Sequence, residues 1–550
     1  MKRIINGLLS FSCLLFAVGC ADYNETDGFI AEPDPTVTVP YADLNPVKSY
    51  IDREKYPNMS LSAQLKVADF NKQELAHAAA ITNFNTVTFG STLMSGAIVS
   101  DNGIMNFLSM MDLLNHVQEI GGEVYGSPIV ANANQADGWI KFLTSPIEIK
   151  VDYVEGKVVD FNTMPTGSYP TEKGSASIAK YDNQNCLKIN ASANVRIIDD
   201  FDVDPLATYT TTFWAKSDKD AEFYVTFSGK KVEGSGSEGK WLLKAGKWTK
   251  FVIESKSAED ATEGYLRIEN TRKALFYVQK VQVGYFPDNH RPQTEQEIND
   301  TIHYALNTWC DGLMKYNEGR IKSFDLIDEA IDTKSAEVAP GIYDIKHGTK
   351  DNIFWQDIFG SEEYALTVSK VAKEAYEKYG GDPAALKFFI SETGLEDQKT
   401  FESLNYWIGK WEAKGAKIDG INAKLTLTYS EDATVQADNY AKITKLLDNL
   451  AATGKLVRLS NFDIKYKDAE GNAVTVENIT ADQRQKLADY YGQLLKTYMT
   501  KIPNEKQAGI CKSNMVDTTA DPVGLWSLDA KKDWVRNATY KAFCDALSGK

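Results

Sequence analysis

The stretch Phe324-Asp325-Leu326-Ile327-Asp328-Glu329-Ala330-Ile331-Asp332 decides the fold. Its first four residues read as a short strand, and the carboxylates follow at its end. Similar short apolar runs recur downstream at 386–390 and 456–459. Between the first two lies a helical pattern over 362–379. Tyr364, Ala365, Val368, Val371, Ala372, Ala375 and Tyr376 form its apolar stripe, and Gly380-Gly381 stops it. Strands alternating with helices predict βα units on a parallel sheet. The same rhythm holds upstream, with helical patterns over 62–81 and 104–120 and strands at 85–89 and from Glu123.

The middle of the chain differs. From 155 to 286 the helical period vanishes and short alternating runs take over, such as 209–215, 222–227, 248–253 and 275–283. That pattern is an all-β sandwich. An all-β domain over 155–286 therefore interrupts an α/β domain made of 48–145 and 287–550. Together the two α/β stretches exceed the ~250 residues of an ordinary (β/α)8 barrel.

The first 20 residues read as a leader. Lys2 and Arg3 precede an apolar run from Ile4 to Val18, which is too short for a membrane span. Ala17-Val18-Gly19-Cys20 resembles a lipobox, with Cys20 as the lipid-bearing residue and the membrane reached through that anchor. The acidic stretch after Cys20 resembles the surface-export signal of Bacteroidetes lipoproteins, and 21–47 reads as a linker. The expected location is the outer membrane, lipid-anchored and facing outward.

Composition narrows the function. A net charge of −16 with no offsetting basic stripe argues against a nucleic-acid partner. Five scattered histidines and no Cys-x-x-Cys pair argue against a metal, and no cofactor motif is present. Cys186, Cys310, Cys511 and Cys544 remain after the leader, with no pairing assignable from sequence.

The barrel segments resemble glycoside hydrolase family 10, the endo-1,4-β-xylanases. The 324–332 stretch is similar to that family's W-D-V-V-N-E-A-x-D segment, which places Glu329 at the acid/base position. Phe388-Phe389-Ile390-Ser391-Glu392-Thr393-Gly394-Leu395-Glu396 is similar to L-F-I-N-D-Y-N-L-E. Lys417-Ile418-Asp419-Gly420-Ile421 resembles the I-D-G-I before a Q-x-H strand, and Arg458-Leu459-Ser460-Asn461-Phe462-Asp463-Ile464 resembles R-I-T-E-L-D-I. The resemblance implies a (β/α)8 TIM barrel and a carbohydrate-binding jelly roll inserted after barrel strand three.

It also implies a site that has lost its chemistry. A retaining glycosidase needs two carboxylates about 5–5.5 Å apart. The nucleophile position holds Asn461, and Asp328 replaces the Asn before the acid/base. The sugar-binding residues of T-P-E-N-x-M-K-W become Gly90, Ser91, Met94 and Ser95. The third-strand W-H becomes Ala131-Asn132, Q-x-H becomes Lys424-Leu425-Thr426, and Ser513 stands where a glycone-site Trp is expected.

Asp325, Asp332 and Glu392 are candidate second carboxylates for an inverting scheme, which needs about 6.5–9.5 Å. Asp463 reads as structural. Trp139, Trp355 and Trp526 are candidate sugar platforms, and Trp526, in a Gly-containing C-terminal loop, is expected to be exposed. Trp214, Trp241 and Trp248 are the insert's candidates, with Trp214 and Trp248 expected in its core.

The expected function is a cell-surface glycan-binding lipoprotein without hydrolase activity, holding polysaccharide or oligosaccharide near an outer-membrane uptake complex. The alternative is an active endo-glycanase with Glu329 as acid/base and a relocated second carboxylate.

Overall fold

The computed structural model describes residues 41–257, 259–260, 263–349 and 352–550. The leader, Cys20 and the linker up to residue 40 lie outside the described residues. The described residues divide into two compact units, one made of 41–144 and 295–550 and the other of 145–294.

In the first unit, nine hydrogen-bonded segments run in one sheet that starts and ends on the same interrupted strand. Strand one, Leu61–Gln64, pairs in parallel with strand two, Thr86–Thr88, and with strand eight, Gln507–Lys512. Strands four to seven are Ser323–Asp328, Lys387–Thr393, Gly420–Lys424 and Leu456–Ser460, paired in parallel in that order and on to strand eight. Strand three is split. Glu123–Val124 pairs with strand two, and Val130–Ala131 pairs with strand four. The halves close an eight-stranded parallel barrel.

Gly126 sits in the break, bridged to Phe324. A Cβ there would lie 2.2 Å from the Phe324 ring. Gly126→Ala is expected to lower unfolding free energy by about 1–3 kcal/mol through overpacking, read from urea melts. Unchanged stability would mean that the ring moves aside freely.

The strands read as near-continuous apolar runs because helices cover their outer faces and side chains fill the interior. The helices start on local signals. Asp397 accepts from the Thr400 N–H, Asp432 from Thr434 and Val435, and Thr480 forms a capping box with Gln483. The helix read over 362–379 spans Tyr364–Lys378, and Gly380 follows in the left-handed region.

One expectation is corrected. The helical pattern over 62–81 begins with strand one, Leu61–Gln64, and helix follows only at Val67–Asn71 and Leu75–Asn83. Ser62 and Ala63 have little strand preference of their own. They are fully buried between strands two and eight, so tertiary pairing overrides propensity.

The second unit has its own hydrophobic core, built between a five-stranded and a seven-stranded antiparallel sheet. Its limits fall outside 155–286 because Ile147–Glu148 pairs with His290–Arg291 and closes the neck. Trp214 is not a core ring, as expected, but 42% exposed on the outer face of strand Thr208–Lys216. Trp248 is also only half-buried, while Trp241 is half-buried with its indole N–H donated to Val232 O at 3.1 Å. Alternation alone does not say which face of a sheet meets the core. Cys186, Cys310, Cys511 and Cys544 are buried free thiols.

Candidate functional site

Ligands of parallel barrels sit at the C-terminal ends of the strands. Here that mouth holds a cavity of about 240 Å³ lined by Gln64, Gly90, Ser91, Met94, Asp328 and Lys424, with Ser460 at the end of strand seven and Asn461 just after it. It is smaller than the ~300–1,000 Å³ of ordinary ligand pockets, so it suits one small ring.

Asp328 ends strand four with Glu329 just after it, and Lys424 ends strand six. The Lys424 ammonium donates to Asp328 Oδ1 at 2.7 Å and to Glu329 Oε1 at 2.9 Å. Lys346 Nζ lies 3.8 Å from Glu329 Oε2. Burial opposes ionisation of Glu329, but Lys424 and then Lys346 outweigh it and hold its carboxyl below the ordinary range. Burial likewise opposes charge on Lys424, and Asp328 with Glu329 outweighs it and raises the lysine. A general acid must carry a proton near neutral pH, so this environment works against that role.

Glu329 and Asn461 both sit in the left-handed backbone region, at φ 48° and 53°. Such backbone costs about 1–3 kcal/mol for a residue with a Cβ and persists only where its surroundings impose it. The Glu329 N–H donates to Ser391 O at 2.8 Å, and Asn132 Nδ2 to Glu329 O at 3.4 Å. Asn132 is held in turn by Gln356 at 2.9 Å. Asn461 is exposed, and its Oδ1 accepts from Ser513 Oγ at 3.2 Å. An amide there is a poor nucleophile toward an anomeric carbon.

The candidate second carboxylates are already engaged. Burial pushes the Asp325 carboxyl up to about 6. It accepts from Tyr125 OH at 2.7 Å and from Asn422 Nδ2. Burial pushes Glu392 up to about 7, against hydrogen bonds from the Ile331 and Thr393 N–H groups. Asp332 Oδ1 accepts from the Lys334 N–H, a turn contact. Asp463 is paired with Lys512, whose fully buried ammonium also donates to Phe462 O, Val523 O and Tyr491 OH.

Three ring candidates are corrected. Trp139, Trp355 and Trp526 are 4%, 3% and 3% exposed and belong to the barrel core. Trp526 lies on strand Trp526–Leu528, which folds back on Trp534–Arg536, and packs against Trp534 and Tyr540. Met94 is also buried, though it lines the cavity.

The sequence reading missed the cavity floor. Arg458 is 1% exposed, donates to Ser62 Oγ at 3.0 Å, and lies 3.9 Å over the Tyr125 ring. A charged residue inside a five-residue apolar strand was the available signal.

Comparison with known proteins agrees with this geometry. The glycosyl hydrolase family 10 model matches residues 285–544. Xylanase B from Clostridium stercorarium F9 superposes with TM-score 0.51 at 11% identity, over 91% of this chain and 100% of that one. Xylanase10C from Cellvibrio japonicus gives 0.51 at 13%, over 94% and 75%. At such identities these two likenesses establish the fold alone. No curated protein sequence matches the chain. The family model thus covers the part of the chain that carries barrel strands four to eight, and that part is similar to glycosyl hydrolase family 10.

Proposed function

We propose that the protein is a surface lipoprotein that binds polysaccharide and does not cleave it. The carrying observation is the pair of lysines on Glu329, combined with an amide, Asn461, where the family resemblance expects the nucleophile. A family 10 acid/base must donate a proton to the leaving oxygen, and a second carboxylate must attack or activate water. A carboxylate held ionised by two ammonium groups does not donate readily. Asp325 and Glu392 are tied to Tyr125, Asn422 and backbone N–H groups, so neither is free to replace the nucleophile.

Fold does not carry activity with it, and a barrel mouth stripped of catalysis still presents hydrogen-bonding groups to a sugar. The inserted β-sandwich fits a carbohydrate-binding module. The leader and Cys20 fit anchoring at the outer membrane near a glycan uptake complex.

The test uses the protein lacking residues 1–20 on a polysaccharide panel. Retardation in affinity gels with no new reducing ends is the expected result. Release of reducing ends that disappears in Glu329→Gln would restore the active endo-glycanase reading.

A further inference from the structure

Side chains on a strand alternate between the two faces of its sheet. Along Thr208–Lys216 the core takes Tyr209, Phe213 and Ala215, which leaves Thr212, Trp214 and Lys216 on the outer face of the insert's seven-stranded sheet. The register identifies their neighbours. Trp214 faces Lys250 on one side and, on the other, the bulge that contains Gln279 and Lys280. Lys216 faces Tyr277, and Tyr277 faces Lys188.

The rings here are held, not loose. Tyr277 stacks on Tyr181 at 3.8 Å, and Trp248 meets Tyr181 edge-on at 6.1 Å. Asp182 accepts from the Trp248 indole at 2.9 Å and from Lys216 Nζ at 2.7 Å. Tyr181 OH donates to Asp218 at 2.6 Å. Those internal contacts use up the nearby carboxylates. Lys188, Lys250 and Lys280 have no ion pair among the described residues.

The other outer-face carboxylates, Glu254 and Glu155, lie at the far end of the sheet. Glu254 faces Thr210, which faces Gly284, and Gly284 faces Glu155. Lys256, opposite Thr208, stands at that far end too, so the far end carries both signs while the end with Trp214 carries lysines without ion pairs among the described residues. An exposed Trp with three unpaired lysines sits at one end, in a chain whose net charge is −16.

We propose that this aromatic and lysine-rich end binds an acidic polysaccharide, a chain whose sugars carry uronate carboxylates. The proposal rests on the glycan-binding reading above and adds a second site and a substrate class. Indole and phenol faces take the apolar face of a pyranose ring, and the ammonium groups meet the carboxylates. An open sheet face accommodates an extended polymer, which the small barrel cavity does not. The same mixture of rings and lysines could stack nucleic-acid bases, but the acidic chain as a whole disfavours that partner.

The experiment is affinity electrophoresis of the full chain in gels containing glucuronoxylan, polygalacturonate or alginate. Retardation in at least one is expected, weakening as salt rises. Trp214→Ala and, separately, Lys250→Glu with Lys280→Glu should each raise Kd about tenfold or more. These side chains are exposed, and near-UV circular dichroism confirms that each variant is folded. Three results overturn the proposal: no retardation in any of the gels, equal retardation of the variants, or equal binding to carboxyl-reduced polymer. Tighter retention on oligo(dT) than on any polysaccharide overturns it as well. The non-cleaving reading of the barrel fails separately, through release of reducing ends, which these variants do not touch.

Discussion

Lys512→Met is expected to lower the unfolding free energy by about 3–5 kcal/mol at neutral pH. The ammonium of Lys512 is wholly buried, and burial pulls its pKa below the ordinary lysine value. Asp463 and three oxygens from Phe462, Val523 and Tyr491 offset that burial. Without the cation, the Asp463 carboxylate remains in a side-chain environment only 14% exposed, with Asn514 as its other partner. Removing one half of a buried pair costs far more than the pair contributes, because the remaining charge is stranded. The double variant Lys512→Met with Asp463→Asn should therefore regain much of the loss. Urea unfolding of the wild type and the variants measures both. A single variant as stable as wild type would show that water enters to solvate Asp463.

Lys424→Met should have a smaller effect, about 2–3 kcal/mol, because Glu329 is 37% exposed and partly solvated, but with a distinct pH dependence. It leaves Asp328 and Glu329 adjacent without their shared cation. In the wild type, Lys424 and Lys346 keep the Glu329 pKa below its unfolded value. The stabilisation that follows is present above the unfolded carboxyl pKa and is lost as pH falls through the folded one. In the variant Glu329 should take up its proton at higher pH than in the wild type. The stability gap between the two proteins should therefore narrow as pH falls below about 4.5. A gap of constant size from pH 8 to pH 4 would mean that Lys424 acts by packing alone.

Much of the barrel was legible because its central strands are covered on both faces. Runs such as 324–327, 386–390 and 456–459 are then mostly apolar, each broken by one charged residue (Asp325, Lys387, Arg458), and the helix at 364–378 has to be striped. Strand one was not legible, since Leu61-Ser62-Ala63-Gln64 owes its conformation to the strands beside it. At the site, the substitutions at 461, 424 and 328 could be read residue by residue. What they do together could not, because the clamp on Glu329 joins strands almost a hundred residues apart in sequence. Lys512 was passed over for the same reason, its acceptors lying on other segments. The tryptophans were misjudged for a different one. A ring's exposure depends on what packs over it, and a glycine nearby says little about that.

The division of the chain into 145–294 and its two flanks bears on the order of folding. The sandwich is contiguous, and the pairing of 147–148 with 290–291 ties its ends together. It can complete its core during synthesis. The barrel cannot, because strand one pairs with strand eight, which is made last. Closing contacts across that separation must overcome the chain entropy of everything between them. By folding early, the insert turns a 150-residue excursion into a short, stiff loop, so the third and fourth strands meet as though little chain lay between them. A destabilised sandwich would then slow closure of the barrel without touching a single barrel residue.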